Sequence, residues 1–400
     1  MKGNILYFCS VSKLDSGMPL STLRLVKLFK DKYNVIVALA EKGELSDELD
    51  KLGVKYQILN FDRLRRFKNM GELVTFLFKI FPAQWRLFRF IRANKIDIVH
   101  FSDLIDLPFF ITAKIAGAKV ISHLRVILLR GTFIKKLYLW LVKYFVNRVV
   151  CVSNAVNNGM FDKCNLIEKV DVVNDPIPKI DDMTNYESVS EGSKDFIELE
   201  SIKNDKNFKV CYISKFVKVK GHKNLLEVAK RIKGMGIKDV NYYVIGGQEK
   251  GHIDYFESFI KKMKEYELED SIKLLGRLTH YQTMAILNEC DILMHLPDYE
   301  EPFPGVVMEA FSLGKPVIAY RCGGIPELIE SGKNGFIEDV GDFDRIAKRV
   351  IELKMDYDKI NKMGQVAREN LFKNFNETIF KSKIENIYEK LLKGRKSKIN

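Results

Sequence analysis

A short loop with two prolines and a glycine separates one glutamate from a brief apolar run that contains another. The first is Glu301 and the second, after seven intervening residues, is Glu309. The prolines restrict the loop to extended backbone, and Gly305 allows the backbone to come close to a ligand. The apolar run, VVMEAFSL, predicts a short helix that ends at Gly314. Two carboxylates are therefore expected around the start of one helix.

The first turn of this predicted helix contains Val306 and Val307, which directly follow Gly305. Its backbone N–H groups have no acceptor inside the helix, and together with the positive end of the helix dipole they suit a diphosphate. Glu309 lies one turn further along, where a carboxylate can accept hydrogen bonds from vicinal sugar hydroxyls. The alternative is that Glu309 faces solvent and that Glu301 is one of two adjacent loop acids.

Strand-like runs alternate with longer amphipathic stretches along the chain, which predicts βαβ units and parallel sheets. The runs are ILYFCSV, NVIVALA, KYQILNF, IDIVHFS, AKVISHL, RVVCVS and VDVV, followed by FKVCYIS, NYYVIGG, SIKLLG, DILMHLP, KPVIAY and GFIEDV. This pattern predicts an α/β fold with two doubly wound, Rossmann-like domains. Ligands of such sheets bind outside the carboxyl ends of the strands, so we expect the active site in a cleft between the domains.

Two breaks in the alternation give the predicted domain boundaries. The first domain covers residues 1–180, and residues 181–207 are polar and acidic, as expected of an interdomain linker. The second domain covers residues 208–374. Residues 375–400 predict a terminal helix with a basic tail, and this helix is a candidate to pack back on the first domain.

Residues 298–336 closely resemble the donor-site signature of glycosyltransferase family 4, in which seven residues separate two glutamates. The loop, the helix, Lys-Pro, Gly-Gly-Ile-Pro-Glu and Asn-Gly follow in the same order. The resemblance implies a GT-B fold and retaining transfer of a sugar from a nucleotide-sugar donor. It also implies that Glu309 binds the ribose and Glu301 the hexose hydroxyls, with Glu300 as an alternative to Glu301.

A second segment, ISKFVKVKGHKNLLEVA, resembles the Gly-Arg-x4-Lys-Gly pattern with which the family binds the donor phosphates. Lys220 and the following glycine match, whereas Ser214 and Lys215 replace the usual glycine and arginine. Lysine keeps the charge but lacks the planar fork of arginine. By resemblance, Lys215 and Lys220 stabilise the leaving diphosphate, so no cofactor and no metal are expected. A solvated lysine loop is the alternative.

Two smaller matches extend the predicted donor site. The Gly-Gly turn of YYVIGGQ resembles the family's turn after the corresponding strand, and Arg277 and Leu278 lie in a segment that resembles the one around the nucleobase. An ordinary strand-to-helix turn that requires glycine is an alternative for both.

The first domain matches the family less closely. Gly17, in SGMPLST, is the only glycine where the family usually has a glycine-rich loop. His123 stands where family members often place a histidine that reaches the donor sugar, and His100 and Arg125 are weaker candidates. A histidine that merely packs near a strand end is the alternative for His123.

The chain has 65 Lys and Arg residues against 52 Asp and Glu, a net charge of +13, which favours an anionic partner. No acidic residue occurs between Asp106 and Asp162. Residues 63–92 and 130–148 mix bulky apolar with basic residues, as do helices that rest on anionic lipid. Core helices with basic solvent faces are the alternative. The sequence has no recognisable nucleic-acid module, so nucleic acid is not an expected partner.

The cysteines favour a reducing cytoplasm, because the six are scattered, form no C-x-x-C pair, and several lie in apolar strand-like runs. The first strand-like run lacks the features of a signal peptide, and no segment reaches the roughly 18 uncharged apolar residues that span a bilayer. We expect a cytoplasmic protein, peripheral on the inner face of the membrane.

With the resemblance, these features predict a retaining hexosyltransferase of bacterial cell-surface polysaccharide synthesis: capsule, exopolysaccharide or lipopolysaccharide. Its donor is UDP-, GDP- or ADP-linked, and its acceptor is a glycan or is linked to lipid. A GT-B nucleotide-sugar epimerase is one alternative, disfavoured by the pattern around Glu301 and Glu309. A non-catalytic scaffold or partner-binding protein is the other, supported only by Lys215 and the single Gly17.

Overall fold

The computed structural model describes residues 2–14, 17–61, 69–128, 131–162, 164–177, 194–249 and 251–396. Internal contacts divide the chain into two compact units. Unit 1 comprises Met1–Asp175 and Phe380–Asn400, and unit 2 comprises Pro176–Ile379. Each unit is built around one parallel sheet.

Within the described residues, the sheet of unit 1 has seven parallel strands. They are β1 Asn4–Cys9, β2 Asn34–Leu39, β3 Tyr56–Ile58, β4 Ile98–Phe101, β5 Lys119–Leu124, β6 Arg148–Cys151 and β7 Val170–Val172. Their spatial order is β3-β2-β1-β4-β5-β6-β7, so the winding direction reverses between β1 and β4. The carboxyl ends of these two strands therefore mark the place where such sheets bind ligands.

Helices cover this sheet, which is why a strand such as β1 is an almost continuous apolar run. They are α1 Gly17–Phe29, α2 Glu44–Lys51, α3 Met70–Ala93, α4 Phe110–Ile115, α5 Phe133–Phe145 and α6 Asn154–Phe161. Side-chain caps begin three of them: Asn69 accepts a hydrogen bond at the start of α3, Thr132 at α5 and Ser153 at α6.

Unit 2 has six parallel strands in the described ranges, in the order β10-β9-β8-β11-β12-β13. They are β8 Phe208–Ile213, β9 Val240–Ile245, β10 Ile272–Gly276, β11 Ile292–His295, β12 Val317–Tyr320 and β13 Gly335–Glu338. The helices are α7 Lys194–Asn204, α8 His222–Gly234, α9 Ile253–Glu265, α10 His280–Glu289, α11 Gly305–Ser312, α12 Phe343–Lys354 and α13 Tyr357–Asn374. The winding reverses between β8 and β11, whose following loops carry the two main sequence motifs.

The last helix, α14 Glu377–Lys396, contributes its apolar side to unit 1. Phe380, Ile384, Ile387 and Tyr388 are buried in the same core as side chains of β1 and β2. The prediction that the terminal helix packs on the first domain is therefore confirmed.

The predicted alternation is also confirmed, since every strand-like run quoted above contains a strand. One segment differs: residues 194–204 of the predicted polar linker form α7, while residues 181–193 lie outside the described residues. None of the helices in the described ranges is both long and apolar enough to cross a membrane.

Candidate active site

An ion pair between a half-buried lysine and a buried glutamate lies at the carboxyl edge of the unit 2 sheet. The ammonium of Lys220 donates to the carboxylate of Glu301, with Nζ 2.7 Å from Oε2, and also to the hydroxyl of Tyr299 at 2.9 Å. Lys220 ends the 3-10 turn Lys218–Lys220 after β8, and Glu301 lies in the loop after β11. Because β8 and β11 are adjacent parallel strands, both loops leave the same edge of the sheet. The structure thus brings together two residues predicted in separate motifs.

His295, the last residue of β11, completes this cluster. Its side chain is buried, and its Nε2 lies 3.6 Å from Oε2 of Glu301. Burial by itself raises the pKa of Glu301, but His295 and Lys220 outweigh burial and lower the pKa to about 2. Glu301 is therefore an anion at neutral pH, almost closed off from solvent and beside a fixed cation.

Glu300, the alternative to Glu301, makes different contacts. Its Oε2 accepts a hydrogen bond from the N–H of Gly323 at 2.5 Å, while the carbonyl of Glu301 accepts one from the N–H of Gly324 at 2.7 Å. Gly323 has a φ of +52°, and a Cβ there would lie 2.0 Å from the Glu301 carbonyl oxygen. The Gly-Gly pair fixes the loop, and Glu301 is the carboxylate that faces Lys220.

The start of α11 is open. Pro304 is its N-cap residue, and Gly305 is exposed, with nothing within 4 Å of the position of a Cβ. The N–H of Val307 is 3.3 Å from the Pro304 carbonyl oxygen, and the Val307 side chain is buried. The N–H groups of Gly305 and Val306 precede any acceptor inside the helix. Two backbone donors and the helix dipole therefore remain for an anion.

Glu309 is half-buried on the second turn of α11. Nδ1 of His280 lies 3.8 Å from its Oε1. Burial raises the pKa of Glu309, and His280 opposes this with a smaller effect. Burial therefore disfavours the ionised carboxylate, and hydrogen-bond donors on a ligand would offset that cost. Its contact with ribose stays a prediction.

The loop after β8 contains the Ser214–Lys215 pair. The hydroxyl of Ser214 lies 3.0 Å from Nε2 of the buried His222. Lys215 is exposed, and its ammonium has no hydrogen bond or ion pair with any residue that the structure describes. The backbone approaches closely here, since a Cβ on Gly246 would lie 1.8 Å from the Ser214 carbonyl oxygen. Lys215 is thus an unengaged cation on a well-packed loop.

Gly221 determines where Lys220 lies. Its φ is +71°, and a Cβ would be 1.8 Å from the carbonyl oxygen of Leu296, just after β11. Asn224 donates to the same carbonyl at 3.0 Å. The Lys-Gly match therefore has a structural reason: only glycine lets this turn come so close to the neighbouring strand.

The predicted nucleobase segment lies at the end of β10. Nε of Arg277 would be 2.8 Å from a Cβ on Gly247, so the arginine covers this glycine. Arg277 donates to Glu249 at 2.7 Å and is exposed, whereas Leu278 packs against the core of unit 2. The contacts of Gly247 favour a packing role for the glycine turn.

In unit 1, His123 lies inside β5 and is fully buried. Its Nδ1 is 3.3 Å from both Nη2 of Arg125 and Nε2 of His100. Because a guanidinium can only donate, Nδ1 accepts and the ring proton lies on Nε2. This Nε2 is buried without a partner among the described residues. Burial, with smaller effects from Arg125 and His100, lowers the pKa of His123, so the ring is neutral at pH 7.

His100 occupies the neighbouring strand, β4, and stacks on His123 with the ring centroids 5.3 Å apart. Its Nδ1 lies 2.7 Å from the hydroxyl of Tyr388 on α14. Burial, reinforced by Arg125, lowers the pKa of His100 to about 3. Both rings lie in the core, and a contact between His123 and a donor sugar stays a prediction.

Arg125 is fully engaged at the switch point of the unit 1 sheet. It forms a bidentate pair with Asp175 at 3.2 and 3.1 Å, and donates to the carbonyl of Ser102 at 2.9 Å and the hydroxyl of Ser21 at 2.5 Å. Arg125 thus joins the ends of β4 and β7 to α1. Gly17, the first residue of α1, is exposed with open space around the position of a Cβ.

Three residues of these clusters were not predicted from the sequence. His295 and Tyr299 lie beside Glu301, and Asp175 holds Arg125. His295 ends a strand-like run, and Asp175 follows one closely. Ligands of parallel sheets bind at the carboxyl ends of strands, so this position could have identified both as candidate site residues. Across the described residues, no group of three or more His, Cys, Asp or Glu is placed to hold a metal ion.

Two Rossmann-like parallel sheets in one chain, each with polar clusters at its carboxyl edge, define the GT-B class. The fold resembles the crystal structure of Anabaena Alr3699/HepE in complex with UDP, with a TM-score of 0.79, 20% identity, and coverage of 98% of this chain and 100% of that one. The same protein in complex with UDP-glucose gives a TM-score of 0.77 at 22% identity, covering 96% and 99%.

Family profiles agree with the fold. The profile described as Glycosyltransferase Family 4 matches residues 16–178, and the profile described as Glycosyl transferases group 1 matches residues 193–370. The chain therefore belongs to family 4 of the glycosyltransferases, and the family resemblance predicted from the sequence is confirmed.

Curated relatives match over part of their length. N-acetyl-alpha-D-glucosaminyl L-malate synthase of Bacillus anthracis is 29% identical over 188 residues, 47% of either chain. The capsular polysaccharide biosynthesis glycosyltransferase CapM of Staphylococcus aureus is 26% identical over 193 residues, 48% of either chain. The chain spans about half the length of the curated relatives it matches.

Proposed function

We propose that the protein transfers a hexosyl unit from a UDP-hexose to a glycan or lipid-linked acceptor, with retention of the anomeric configuration. The observation that carries this proposal is the ion pair between Lys220 and Glu301 at the edge of the sheet that also carries the open start of α11. The site combines a cation and backbone donors for a diphosphate with an anion for sugar hydroxyls.

The positive groups support departure of a nucleoside diphosphate. Negative charge develops on that group as the bond to the sugar breaks, and fixed positive groups lower the barrier. Lys215 has no ion-pair partner among the described residues, and Lys220 is held by the turn at Gly221. The N–H groups of Gly305 and Val306 lie at a helix start. These groups do the work that a divalent cation does in other transferases, and we therefore expect activity without metal.

The carboxylates support recognition of the two sugars of the donor. Glu301 is ionised at neutral pH and accepts a hydrogen bond from Lys220, and a carboxylate has further lone pairs that can accept from hexose hydroxyls. Burial disfavours the ionised form of Glu309, and hydrogen bonds from the ribose hydroxyls would offset that cost on binding. Glu301 thereby positions the hexose rather than acting as a nucleophile.

UDP is the preferred nucleotide in this proposal, because Alr3699/HepE has been crystallised with UDP and with UDP-glucose. GDP and ADP are the competing choices. A role in cell-surface polysaccharide synthesis is supported by CapM, a capsular polysaccharide glycosyltransferase. A cytoplasmic location is part of the same proposal.

Calorimetric titration with UDP, GDP and ADP, in EDTA and again with magnesium, tests the donor site. We expect UDP to bind preferentially and with the same affinity in both conditions. Binding of none of the three would refute the donor site, and binding that requires magnesium would refute the role of the lysines.

Transfer is tested by release of UDP from UDP-glucose in the presence of candidate acceptors, with NMR of the product anomer. Lys220→Ala should abolish release, whereas Lys218→Ala is a matched control, because Lys218 is exposed on the same turn. Equal losses in both variants would favour a solvated lysine loop. Binding without release would favour the non-catalytic scaffold, and conversion of the donor sugar to its epimer would favour the epimerase.

A further inference from the structure

Helix α3 carries apolar side chains on two sides. Phe76, Ile80 and Leu87, spaced by four and seven residues, are buried in unit 1. Phe78, Phe81 and Trp85, spaced by three and four, lie on another side of the helix and are 76, 67 and 62% exposed. One apolar side is enough to pack a helix on a core, so the second is not needed to hold α3 on the core of unit 1.

Helix α5 repeats this arrangement. Tyr138 and Leu141 are buried, while Phe133, Trp140 and Tyr144, spaced by seven and four residues, share another side and are 77, 48 and 55% exposed. Helix α4 packs against both α3 and α5, so the two helices belong to the same layer. We call the six exposed residues, Phe78, Phe81, Trp85, Phe133, Trp140 and Tyr144, the α3–α5 face.

The helices that carry this face also carry exposed basic residues. Arg89 on α3 and Lys136 and Lys143 on α5 are exposed. Helix α5 contains no acidic residue, and Glu72 in the first turn is the only acid of α3. The ammonium of Lys143 lies 5.2 Å from the centroid of the Tyr144 ring, so cationic and aromatic groups are interleaved.

Both tryptophans of the chain belong to the α3–α5 face. Tryptophan and tyrosine combine an apolar ring with a polar N–H or O–H, and they are enriched at membrane–water interfaces for that reason. A globular protein that needed tryptophan for its core would bury at least one of them.

We propose that the α3–α5 face docks on a bilayer that contains anionic lipid, with the aromatic side chains at the headgroup boundary and the basic side chains on lipid phosphates. The positive charge of the α3–α5 face favours lipid over a second copy of the chain as its binding partner. A symmetric dimer through this face would bring Lys136 and Lys143 of both copies together and repel. The inference does not rest on the proposed function, because docking requires neither donor nor acceptor.

The tryptophans are a built-in probe of this docking. Full-length protein is titrated with phosphatidylcholine vesicles that do or do not contain phosphatidylglycerol, at low and at high salt. We expect a blue shift of tryptophan emission and co-sedimentation with the anionic vesicles only, reversed by salt. Absence of the shift with anionic vesicles at low salt would overturn the proposal, as would a salt-independent shift with neutral vesicles.

Single-tryptophan variants test whether both helices take part. In Trp85→Phe and in Trp140→Phe, the remaining tryptophan should shift with anionic vesicles. A shift in only one variant would show that only one of the two helices contacts lipid, and would overturn the proposal that they form one docking surface.

Charge reversal tests the electrostatic part against a matched control. Lys136→Glu with Lys143→Glu should lower partitioning onto anionic vesicles by about tenfold or more, since each basic residue near the surface contributes substantially. Lys261→Glu with Lys264→Glu changes net charge equally on two exposed positions of α9 in unit 2, and should bind like the wild type. Equal losses of vesicle binding in the two double variants would mean that net charge alone drives binding, and would overturn the assignment of docking to the α3–α5 face.

Binding of a protein to this face, in place of lipid, predicts a different fluorescence result. A second copy or another protein on this face would bury the tryptophans in the absence of lipid. Light scattering that shows a dimer whose tryptophan emission is already blue-shifted, and unchanged by vesicles, would overturn lipid docking. An unchanged circular dichroism spectrum of each variant serves as the check of folding.

Discussion

Replacement of Glu301 by glutamine removes the negative charge beside Lys220 and His295 while keeping the length of the side chain. The pKa of Glu301 is about 2 in the fold against an ordinary 4.5. By linkage, this difference corresponds to about 3 kcal/mol of stability at neutral pH. Lys220 keeps the Tyr299 hydroxyl and partial contact with solvent, so we expect Glu301→Gln to lower the free energy of unfolding by about 2 to 3 kcal/mol.

The pH dependence has a definite sign. Because the folded-state pKa lies below the unfolded one, the stability from Glu301 is fully present above pH 4.5 and is lost as the pH falls toward 2. The gap between wild type and Glu301→Gln should therefore be largest at neutral pH and should shrink to roughly half near pH 3.

Urea unfolding followed by circular dichroism at both pH values measures this gap. Tryptophan fluorescence provides an internal comparison, because Trp85 and Trp140 both lie in unit 1 and Glu301 lies in unit 2. We expect the substitution to shift the dichroism transition more than the fluorescence transition. Equal stability of the two proteins at neutral pH would refute the reasoning and would mean that desolvation cancels the ion pair. If the difference in free energy of unfolding between the two proteins does not change with pH, the lost stability comes from packing and not from the charge of Glu301.

The same substitution at Glu309 is a matched control with the opposite sign. Burial raises the pKa of Glu309, so its ionised form costs stability at neutral pH, and Glu309→Gln should be at least as stable as the wild type there. It should nevertheless bind UDP more weakly, because the proposed acceptor for ribose hydroxyls is lost. A variant that is destabilised but binds UDP normally would exclude Glu309 from the site.

Three further substitutions distinguish residues that bind the donor from residues that stabilise the fold. Lys215→Ala should weaken UDP binding in calorimetry by about tenfold without moving the urea midpoint, since its ammonium is unengaged; a joint loss would assign Lys215 to the fold. Gly221→Ala should lower the free energy of unfolding by at least about 2 kcal/mol, because φ is +71° and the new Cβ meets the Leu296 carbonyl oxygen. A Gly221→Ala variant of unchanged midpoint would contradict that close approach. Arg125→Lys, which cannot keep the bidentate pair with Asp175, should cost unit 1 about 1 to 3 kcal/mol, measured by urea unfolding with tryptophan fluorescence. An unchanged fluorescence midpoint would show that the pair does not stabilise unit 1.

The fold could be predicted because parallel strands that are covered on both sides are near-continuous apolar runs, and such runs are easy to recognise. Helix α7 was not predicted, although it contains good helix formers, because its polar composition is typical of a linker. Ile202 is buried and Leu199 packs beside it on the core of unit 2. Two apolar residues three apart in a polar stretch are too weak a periodic signal to predict a helix from the sequence.

For the site, the sequence pointed to individual residues but not to their pairing. Lys220 and Glu301 are 81 positions apart, and only the adjacency of β8 and β11 brings them together. The burial of His123 was equally hidden, because its neighbours come from other strands. Tyr388, which reaches His100, comes from a helix at the other end of the described chain.

The placement of α14 has a consequence for synthesis on the ribosome. The core of unit 1 includes Phe380, Ile384 and Tyr388, which are translated after all of unit 2. Residues 176–379 form a continuous segment that can fold as soon as it emerges, whereas the earlier strands of unit 1 must wait with part of their apolar surface uncovered. The nascent chain can therefore complete its second unit before its first, and part of the apolar surface of unit 1 stays uncovered during that interval.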